Sequence, residues 1–359
     1  MDKKILIVTN MGPKPSAPFQ GQFVSNQVDA LAFLKPSYFY MRWHNDSFLN
    51  RLLKYPVLWL QFVWQFVFSR QTYDVIHVHY FYPTIWLAIT YRWCRNPKVK
   101  IVVTCHGSDI YLYQPESAWY KFAAKIVDYW IFTSEQLKAR FFDQQVRSMV
   151  LPAGIHPVFG EASLKPVAEK HYDLLYVGSL DHNKGMDRLL ALLPSLFAAM
   201  PAVKIAIIGQ GSFRGQLMAA SVQYPGLELL NPQGPAQLQQ YYQDSRIFLS
   251  LSRNESFGLV MTEAMACFTP VIATATDGSQ AQIRDGENGF ILPQQDEANL
   301  QQLLLQSIQR LLTLPESDYL QLQLAGRQNA EQYLVSRVAG QLQLLYQSLF
   351  SAENGQNLQ

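Results

Sequence analysis

Residues 247–263 read I-F-L-S-L-S-R-N-E-S-F-G-L-V-M-T-E, and this stretch decides the fold class. The apolar run 247–251 predicts a buried strand, and the residues after Gly258 predict the start of a helix. A turn at 252–258 joins the two. The order strand, turn, helix is typical of a parallel α/β sheet built from βαβ units.

The same alternation continues in both directions along the chain. Candidate strands cover residues 4–9, 75–78, 100–104, 129–132, 148–151, 173–177, 203–208, 247–251 and 270–273. Helical patterns lie between them, for example at 27–34, 189–197, 237–243 and 263–267. Two such series predict two doubly wound, Rossmann-like α/β domains with parallel sheets.

Glycine and proline place the boundary between the two domains. Residues 152–170 are rich in both and lack periodicity, which is typical of a linker. We therefore predict an N-terminal domain at 1–157, a linker at 158–170 and a C-terminal domain at 171–330. A last helical pattern at 331–350 is expected to cross back to the N-terminal domain.

Charge and cysteine content restrict the cellular setting. The net charge of +2 divides into +8 over residues 1–160 and −6 over 161–359. A basic half favours an anionic partner such as a membrane surface, although scattered solvated charges would give the same count. The three cysteines form neither a disulfide framework nor a zinc pattern. With no signal-peptide pattern at the start, we expect a cytoplasmic protein.

Residues 55–69 form a charge-free stretch, Y-P-V-L-W-L-Q-F-V-W-Q-F-V-F-S, flanked by basic residues. It is too short for a confident membrane span, which needs about 20 apolar residues. The favoured interpretation is a core helix buried all round. The alternative is an interfacial helix with aromatic anchors that associates with a membrane in a salt-sensitive way.

Glu255 and Glu263 are the candidate ligand-binding carboxylates. They flank Gly258 at a helix start, where free backbone N–H groups and the helix dipole suit phosphate oxygens. Carboxylates accept hydrogen bonds from hydroxyl groups, which sugars supply. Alone, the pair is also compatible with a helix cap and one surface glutamate.

The wider context resembles retaining glycosyltransferases of family 4, which have the two-domain GT-B architecture with the domains facing across a cleft. The resemblance rests on five segments in order: Y-D-V-I-H-V-H at 73–79, T-C-H-G-S-D at 104–109, Y-V-G-S-L with Lys184-Gly185 at 176–185, I-I-G-Q-G at 207–211 and N-E-S-F-G-L-V-M-T-E-A-M-A-C-F-T-P-V-I-A-T at 254–274. A weaker likeness at Gly21-Gln22 points to members that build cell-envelope polysaccharides.

The resemblance implies a role for each matched residue. Glu263 should bind the ribose, Glu255 the transferred sugar, and Lys184 the diphosphate. His106 should lie at the donor sugar, so that His106, Glu255 and Lys184 are the candidate catalytic residues. The remaining candidate binding residues are Gly21, Gly178, Ser179, Gly209, Arg253, Ser256, Phe257, Gly258 and Leu259.

The chain departs from the family at Ser179, where the family often has an arginine. Arg253 or Arg188 could replace that cation. No Asp-x-Asp triplet occurs, so we expect neither a metal nor another cofactor. His77 and His79 point to the same side of a strand, and lining of the core or cleft is favoured over a metal pair.

The predicted function is sugar transfer from a nucleoside-diphosphate sugar, with UDP or GDP as the nucleotide, to a cell-envelope glycan or lipid-linked acceptor. The expected partners are that donor, that acceptor and the inner face of a membrane, but not nucleic acid. Two alternatives remain: a nucleotide-sugar epimerase of the same architecture, and a non-catalytic protein that binds a membrane surface or nucleic acid through the basic half.

Overall fold

The computed structural model describes residues 3–13, 19–42 and 47–354, which fold as two compact units. The division falls between Gly154 and Ile155, and again between Leu334 and Val335, where the chain returns to the first unit.

A six-stranded parallel sheet with the order β2-β1-β3-β4-β5-β6 forms the centre of the first unit. Its strands are β1 (Ile5–Thr9), β2 (Ser37–Tyr40), β3 (Val75–His79), β4 (Lys100–Cys105), β5 (Tyr129–Phe132) and β6 (Ser148–Val150). All residues of β1 and β3 are buried, as expected for central strands covered on both faces.

Helices cover both faces of this sheet. They are α1 (Gln22–Ala30), α2 (Phe48–Phe62), α3 (Ile85–Cys94), α4 (Ser108–Tyr111), α5 (Ala118–Ala124) and α6 (Glu135–Ala139). A π-helical turn, Val63–Val67, directly extends α2. Side chains of α2, α3 and α5, such as Phe62, Ile89 and Tyr120, share one core with Leu6 and Ile76, whereas α1 packs on the opposite face.

The second unit repeats the plan with a parallel sheet of order β12-β11-β10-β7-β8-β9. Its strands are β7 (Tyr172–Val177), β8 (Ile205–Ile208), β9 (Leu227–Leu230), β10 (Ser245–Ser250), β11 (Val271–Thr274) and β12 (Gly289–Leu292). Its helices are α7 (Pro157–Gly160), α8 (Met186–Ala199), α9 (Arg214–Gln223), α10 (Pro235–Gln243), α11 (Leu259–Ala266), α12 (Asp277–Gln282), α13 (Glu297–Leu312) and α14 (Glu316–Ala330).

The last helix, α15 (Val335–Asn354), belongs to the first unit. Its buried side chains, which include Leu342 and Leu345, join Ile5, Ile7 and α1 in one hydrophobic core. The Tyr346 hydroxyl lies 2.7 Å from Nδ1 of His77 on β3, so the helix also contacts the sheet through a buried polar pair.

Three strands lie where no strand was predicted: β2, β9 and β12. Each is an edge strand of its sheet. Not all of their residues are buried, because an edge strand is covered less completely than a central one. In Gly289–Leu292, for example, the two middle residues are only half-buried. The sequences of the three strands, S-Y-F-Y, L-E-L-L and G-F-I-L, are only four residues long, and each contains a serine, a glutamate or a glycine.

Residues 158–170, predicted as a linker, lie within the second unit. Phe159 of α7 is buried against Tyr242 and other core residues of that unit, and the Arg327 guanidinium donates to the Gly160 carbonyl oxygen at 2.6 Å. The chain passes between units at Gly154 instead, where a Cβ would come within 2.4 Å of the Val335 Cα.

The favoured interpretation of residues 55–69, a helix buried all round, is wrong. Leu58, Phe62 and Phe66 are buried, but Trp64 is 79% exposed and Phe68 is 72% exposed. One face of this segment fills the core and the other carries aromatic rings into solvent, although residues 55–69 contain no charge to indicate which face would be outward.

Candidate functional site

The order of strands in the second unit marks where a ligand would bind. β7 is the first strand of the unit, and later strands add to its two sides, β8 on one and β10 on the other. The loops after β7 and β10 therefore diverge above the carboxyl ends of adjacent strands, which is the usual ligand position in doubly wound folds. A small cavity of about 50 Å³ at this point is lined by Gly178, Lys184, Ser252 and Val260, among others.

The turn after β7 is held by contacts with its neighbours. The Tyr176 hydroxyl donates to the Ser179 carbonyl oxygen at 2.8 Å, which orients Gly178 and Ser179. A Cβ at Gly209 would come within 1.9 Å of the Gly178 carbonyl oxygen, so the loop after β8 can approach only with glycine there. The Ser179 side chain is exposed at this turn.

Lys184 and Glu255 lie next to each other. The Lys184 amide donates to Asp181 Oδ1 at 2.9 Å, which shapes the turn before α8, and its ammonium forms an ion pair with the Glu255 carboxylate. Both side chains are largely buried, with 29% of Lys184 and 15% of Glu255 exposed. The two loops above the switch point are thus joined by a charge pair.

Gly258, in a left-handed conformation with φ of 81°, precedes α11. Among the described residues no side chain caps this helix and no acidic residue occupies its first turn, so its N-terminus can receive an anionic ligand. Phe257 is buried against the ring of Tyr333, with centroids 5.0 Å apart, and its carbonyl oxygen accepts from the Gln282 amide. These contacts position the backbone of Ser256, Phe257, Gly258 and Leu259 at the helix start.

Glu263 lies further along α11, about one turn beyond its N-terminus. The Tyr242 hydroxyl donates to Glu263 Oε2 at 3.0 Å. Burial raises the pKa of Glu263 to about 7, and the hydrogen bond from Tyr242 only partly opposes this. A carboxyl group with this pKa can change its ionisation near neutral pH.

Arg188 and Arg253 were proposed to replace the arginine that the family often has at the position of Ser179. The side chains of both are held by other residues of the unit. Arg188 is 3% exposed and donates to Glu297, to Gln294 and to the Leu251 carbonyl oxygen. Arg253 forms a bidentate pair with Asp187 at 2.8 and 2.7 Å. The hydrogen bonds from Arg253 lower the pKa of the Asp187 carboxyl, and the pair fixes the loop after β10. Arg188 is therefore too deeply buried for the role and Arg253 is engaged by Asp187, whereas Lys184 lies between the two loops at the switch point.

The first unit has its own switch point, between β1 and β3. Gly21, with φ of 76°, precedes α1, and the ring of Phe23 in that helix lies 4.9 Å from the ring of His106. The ring of Tyr80, directly after β3, lies 4.6 Å from His106 on another side. His106 thus packs against two aromatic rings at the carboxyl ends of the strands.

Asp109 organises the turn that carries His106. Its carboxylate accepts from the amides of His106 and Gly107, each at 2.9 Å, and from the Phe81 amide at 2.9 Å. The carboxyl is buried, which raises its pKa, while the backbone donors oppose the shift. One side chain therefore links the loops after β3 and β4.

His77, His79 and His106 form a stacked row. Nδ1 of His79 lies 3.1 Å from Nε2 of His106, and Nε2 of His77 lies 2.7 Å from the Thr104 hydroxyl. Burial lowers the pKa of all three, in the case of His79 to about 3, so the row is neutral at neutral pH. No group of three or more His, Cys, Asp or Glu side chains suited to a metal ion occurs in the described part of the chain. As expected, His77 and His79 line the core.

Sequence reasoning assigned no role to Asp109, Tyr242 or Tyr346. Asp109 was part of a matched segment, but nothing in the sequence indicates its three amide partners. Tyr242 and Glu263 are separated by 21 positions, and His77 and Tyr346 by 269. Such pairs form only when the sheet and its helices are packed together.

Comparison with known proteins identifies the type of protein. A family model described as Glycosyl transferases group 1 matches residues 163–334, and one described as Glycosyltransferase Family 4 matches residues 27–159. The chain is similar to the GtfA subunit of UDP-N-acetylglucosamine–peptide N-acetylglucosaminyltransferase of Streptococcus gordonii. The two are 27% identical over 262 residues, which are 68% of this chain and 51% of that protein. The chain spans between about a third and about half of the length of the curated relatives it matches.

Solved structures share the fold over almost the whole chain. Sucrose-phosphate synthase from Thermosynechococcus elongatus has a TM-score of 0.75 at 22% identity and covers 98% of this chain and 100% of its own. Anabaena HepE in complex with UDP and glucose has a TM-score of 0.68 at 17% identity, covering 96% and 100%. With a Glycosyl transferases group 1 domain at 163–334, a Glycosyltransferase Family 4 domain at 27–159 and two doubly wound parallel sheets, the chain has the two domains and the GT-B fold of family 4-like glycosyltransferases.

Proposed function

We propose that this protein transfers a sugar from a nucleoside-diphosphate sugar, with retention of the anomeric configuration, to a glycan or lipid-linked glycan of the cell envelope. The observation that carries the proposal is the convergence of Lys184, Glu255 and the uncapped start of α11 at one switch point. A cation and helix amides suit a diphosphate, and a carboxylate suits sugar hydroxyls.

The proposed donor carries UDP or GDP. UDP is supported by likeness to a transferase that is named for UDP-N-acetylglucosamine and to the HepE structure with UDP and glucose. In the proposed binding mode, Glu263 accepts from the ribose hydroxyls, and the amides at Ser256–Leu259 meet phosphate or sugar oxygens. Gly178, Ser179 and Gly209 leave room for the diphosphate, and the Arg253–Asp187 pair holds the loop in place.

The proposed reaction forms a bond between the acceptor oxygen and the anomeric carbon while the bond from that carbon to the diphosphate breaks. The attack occurs on the face that the diphosphate leaves, and the departing phosphate takes the acceptor proton. Lys184 and the α11 amides stabilise the charge that develops on the diphosphate, so neither a metal nor a separate carboxylate base is required. Gly21 is proposed to contact the donor, and His106 is proposed to lie at the donor sugar.

The proposed setting is the cytoplasm at the inner face of a membrane, where a lipid-linked acceptor is presented, and without nucleic acid as a partner. Among the described residues, no helix has the length and apolar character to cross a membrane. A protein that binds only the surface of a membrane needs no such helix.

A panel of nucleoside diphosphates and nucleotide sugars tests the donor, because a bound ligand raises the unfolding temperature according to its concentration over Kd. One base is expected to stand out, and NMR of the product made from that donor should show the donor's anomeric configuration. Inversion would overturn retention, and epimers formed without an acceptor would identify an epimerase instead.

Substitution of the charge pair tests the site itself. Lys184→Ala should weaken nucleoside-diphosphate binding about tenfold or more and reduce turnover. Glu255→Gln should reduce turnover but leave that affinity equal or higher, since it frees the Lys184 ammonium from its partner. Lys204→Ala, at an exposed lysine of the same unit, is the matched control and should change neither. Normal turnover in both site variants would contradict the proposed function.

A further inference from the structure

An exposed aromatic surface lies on the helices that cover one side of the first sheet. We call it the aromatic face and define it by Trp59 of α2, Trp64 of its π extension, Phe68 directly after that extension, Trp93 of α3, and Trp119 and Phe122 of α5. Trp64 is 79% exposed, Trp119 66% and Trp93 62%. Single exposed rings are ordinary on protein surfaces, but six on adjacent helices mark an interaction site.

Side-chain contacts join these helices into one continuous surface. The Trp59 indole donates to the Thr90 hydroxyl at 2.9 Å, which fastens α2 to α3. The rings of Trp93 and Phe122 lie 6.4 Å apart, as do those of Trp119 and Phe122, which connects α3 to α5. Trp64 and Phe68, 6.3 Å apart, continue the surface beyond the π turn.

The inner sides of the same helices explain why the rings point outward. Leu58, Phe62 and Phe66 fill the core beneath α2, and Tyr91 and Tyr120 do so beneath α3 and α5. The core is thus closed without the aromatic face. These outer rings therefore expose apolar surface that folding does not require.

The helices that carry the aromatic face contain basic residues but no acidic ones. The sequences of α2, its π extension, α3 and α5 contain no Asp or Glu. Arg95 lines the groove between the π turn and α3 and donates to the carbonyl oxygen of the exposed Arg70 at 3.3 Å. Lys125, three positions after Phe122, is also exposed. The acid nearest along the chain, Glu116, lies 3.9 Å from Lys121.

We propose that the aromatic face is a docking surface for a lipid bilayer with anionic headgroups, into which the tryptophan and phenylalanine rings insert while the basic residues meet phosphate groups. Indole rings favour the interfacial zone of a bilayer, and basic side chains are attracted to an anionic leaflet. A second copy fits less well, because a symmetric contact would bring these basic surfaces together. The inference concerns the outer surface of the first unit alone and does not rest on the proposed glycosyl transfer.

Vesicle co-sedimentation of the full chain tests the proposal. Vesicles of phosphatidylcholine with about 30 mol % phosphatidylglycerol should bind the protein at low salt, and binding should fall as salt screens the headgroups. Pure phosphatidylcholine vesicles should bind at least tenfold less. Trp64→Glu should reduce binding to the anionic vesicles by at least tenfold, because it places a charge among the inserting rings. Lys125→Glu should reduce binding less and weaken its dependence on salt.

Leu344→Glu is the matched control, since Leu344 is 67% exposed on α15, which packs on the opposite face of the same sheet. It should leave binding unchanged, and all three variants should keep the wild-type unfolding temperature because the replaced side chains are exposed. Failure of the wild-type protein to bind anionic vesicles would overturn the proposal. So would self-association that Trp64→Glu abolishes, which would assign the surface to a second copy.

Discussion

Two carboxyl groups of the second unit differ in their surroundings, although one short segment supplies both. Glu255 is paired with the Lys184 ammonium, whereas Glu263 is buried against the Tyr242 hydroxyl and forms no ion pair within the described part of the chain. The geometry thus distinguishes a carboxylate that is paired with a cation from one whose pKa is raised to about 7 by burial.

The ionisation of Glu263 predicts how donor binding depends on pH. Since the pKa of Glu263 is raised to about 7, its carboxylate, which is proposed to accept from the ribose hydroxyls, is the minor form at pH 6 and the major form at pH 8. We expect the affinity for the nucleotide sugar to rise about tenfold over that range. Calorimetric titration at each pH measures this affinity. The diphosphate diester of a nucleotide sugar does not itself change ionisation between pH 6 and pH 8.

The variant Glu263→Gln should bind the donor more weakly and with a flat pH profile. Glu228→Gln is the control, because Glu228 also accepts from a tyrosine hydroxyl, that of Tyr172, but at an exposed strand edge. The raised pKa also implies that Glu263 contributes stability that is fully present below its ordinary value near 4.5 and is lost as pH rises through about 7. If donor affinity in Glu263→Gln depended on pH as it does in the wild-type protein, the proposed role of Glu263 in donor binding would be contradicted.

At the scale of elements, the site depends on how closely two loops approach. Gly185 precedes α8 with φ of 74°, and a Cβ there would come within 2.1 Å of the Leu251 carbonyl oxygen. The loop after β7 can therefore lie against the end of β10 only if residue 185 is glycine. This approach is what places Lys184 beside Glu255.

We expect Gly185→Ala to destabilise the second unit by about 2 kcal/mol or more, because it combines a strained backbone with a clash against backbone atoms. Gly215→Ala is the matched control: Gly215 lies in α9, and a Cβ there meets no atom within 4 Å among the described residues. It should stabilise the protein by about 0.4–1 kcal/mol. Chemical unfolding measures both, and equal effects would show that the loop contact does not matter.

At the scale of the whole molecule, the chain leaves the first unit and returns to it. α15, the last described element, completes the core that β1 and α1 begin. The first unit is therefore incomplete until residues about 180 positions beyond Gly154 have joined it. Its stability should depend strongly on the buried face of this last helix.

Leu342→Ala should lower the free energy of unfolding of the first unit by about 2–5 kcal/mol, since Leu342 is 1% exposed in that core. Leu344→Ala, at a position of the same helix that is 67% exposed, should change it by less than about 0.5 kcal/mol. Denaturant unfolding followed by circular dichroism distinguishes the two. Similar losses in both variants would mean that helix propensity, and not burial, explains the effect.

Sequence by itself determined the elements that are buried on both sides and the segments with a strict local geometry. The central strands read as largely apolar runs. Gly178 follows a strand, Lys184 and Gly258 precede helices, and Glu263 lies in the helix that follows Gly258, because those positions are set by neighbours along the chain. Tertiary structure alone decided the edge strands, the outward turn of Trp64, and the partners of Arg188, Glu263 and His77. The physical reason is that burial and pairing depend on residues far away in the chain. A pattern of neighbours shows which side chains can be buried, but only packing shows what they meet.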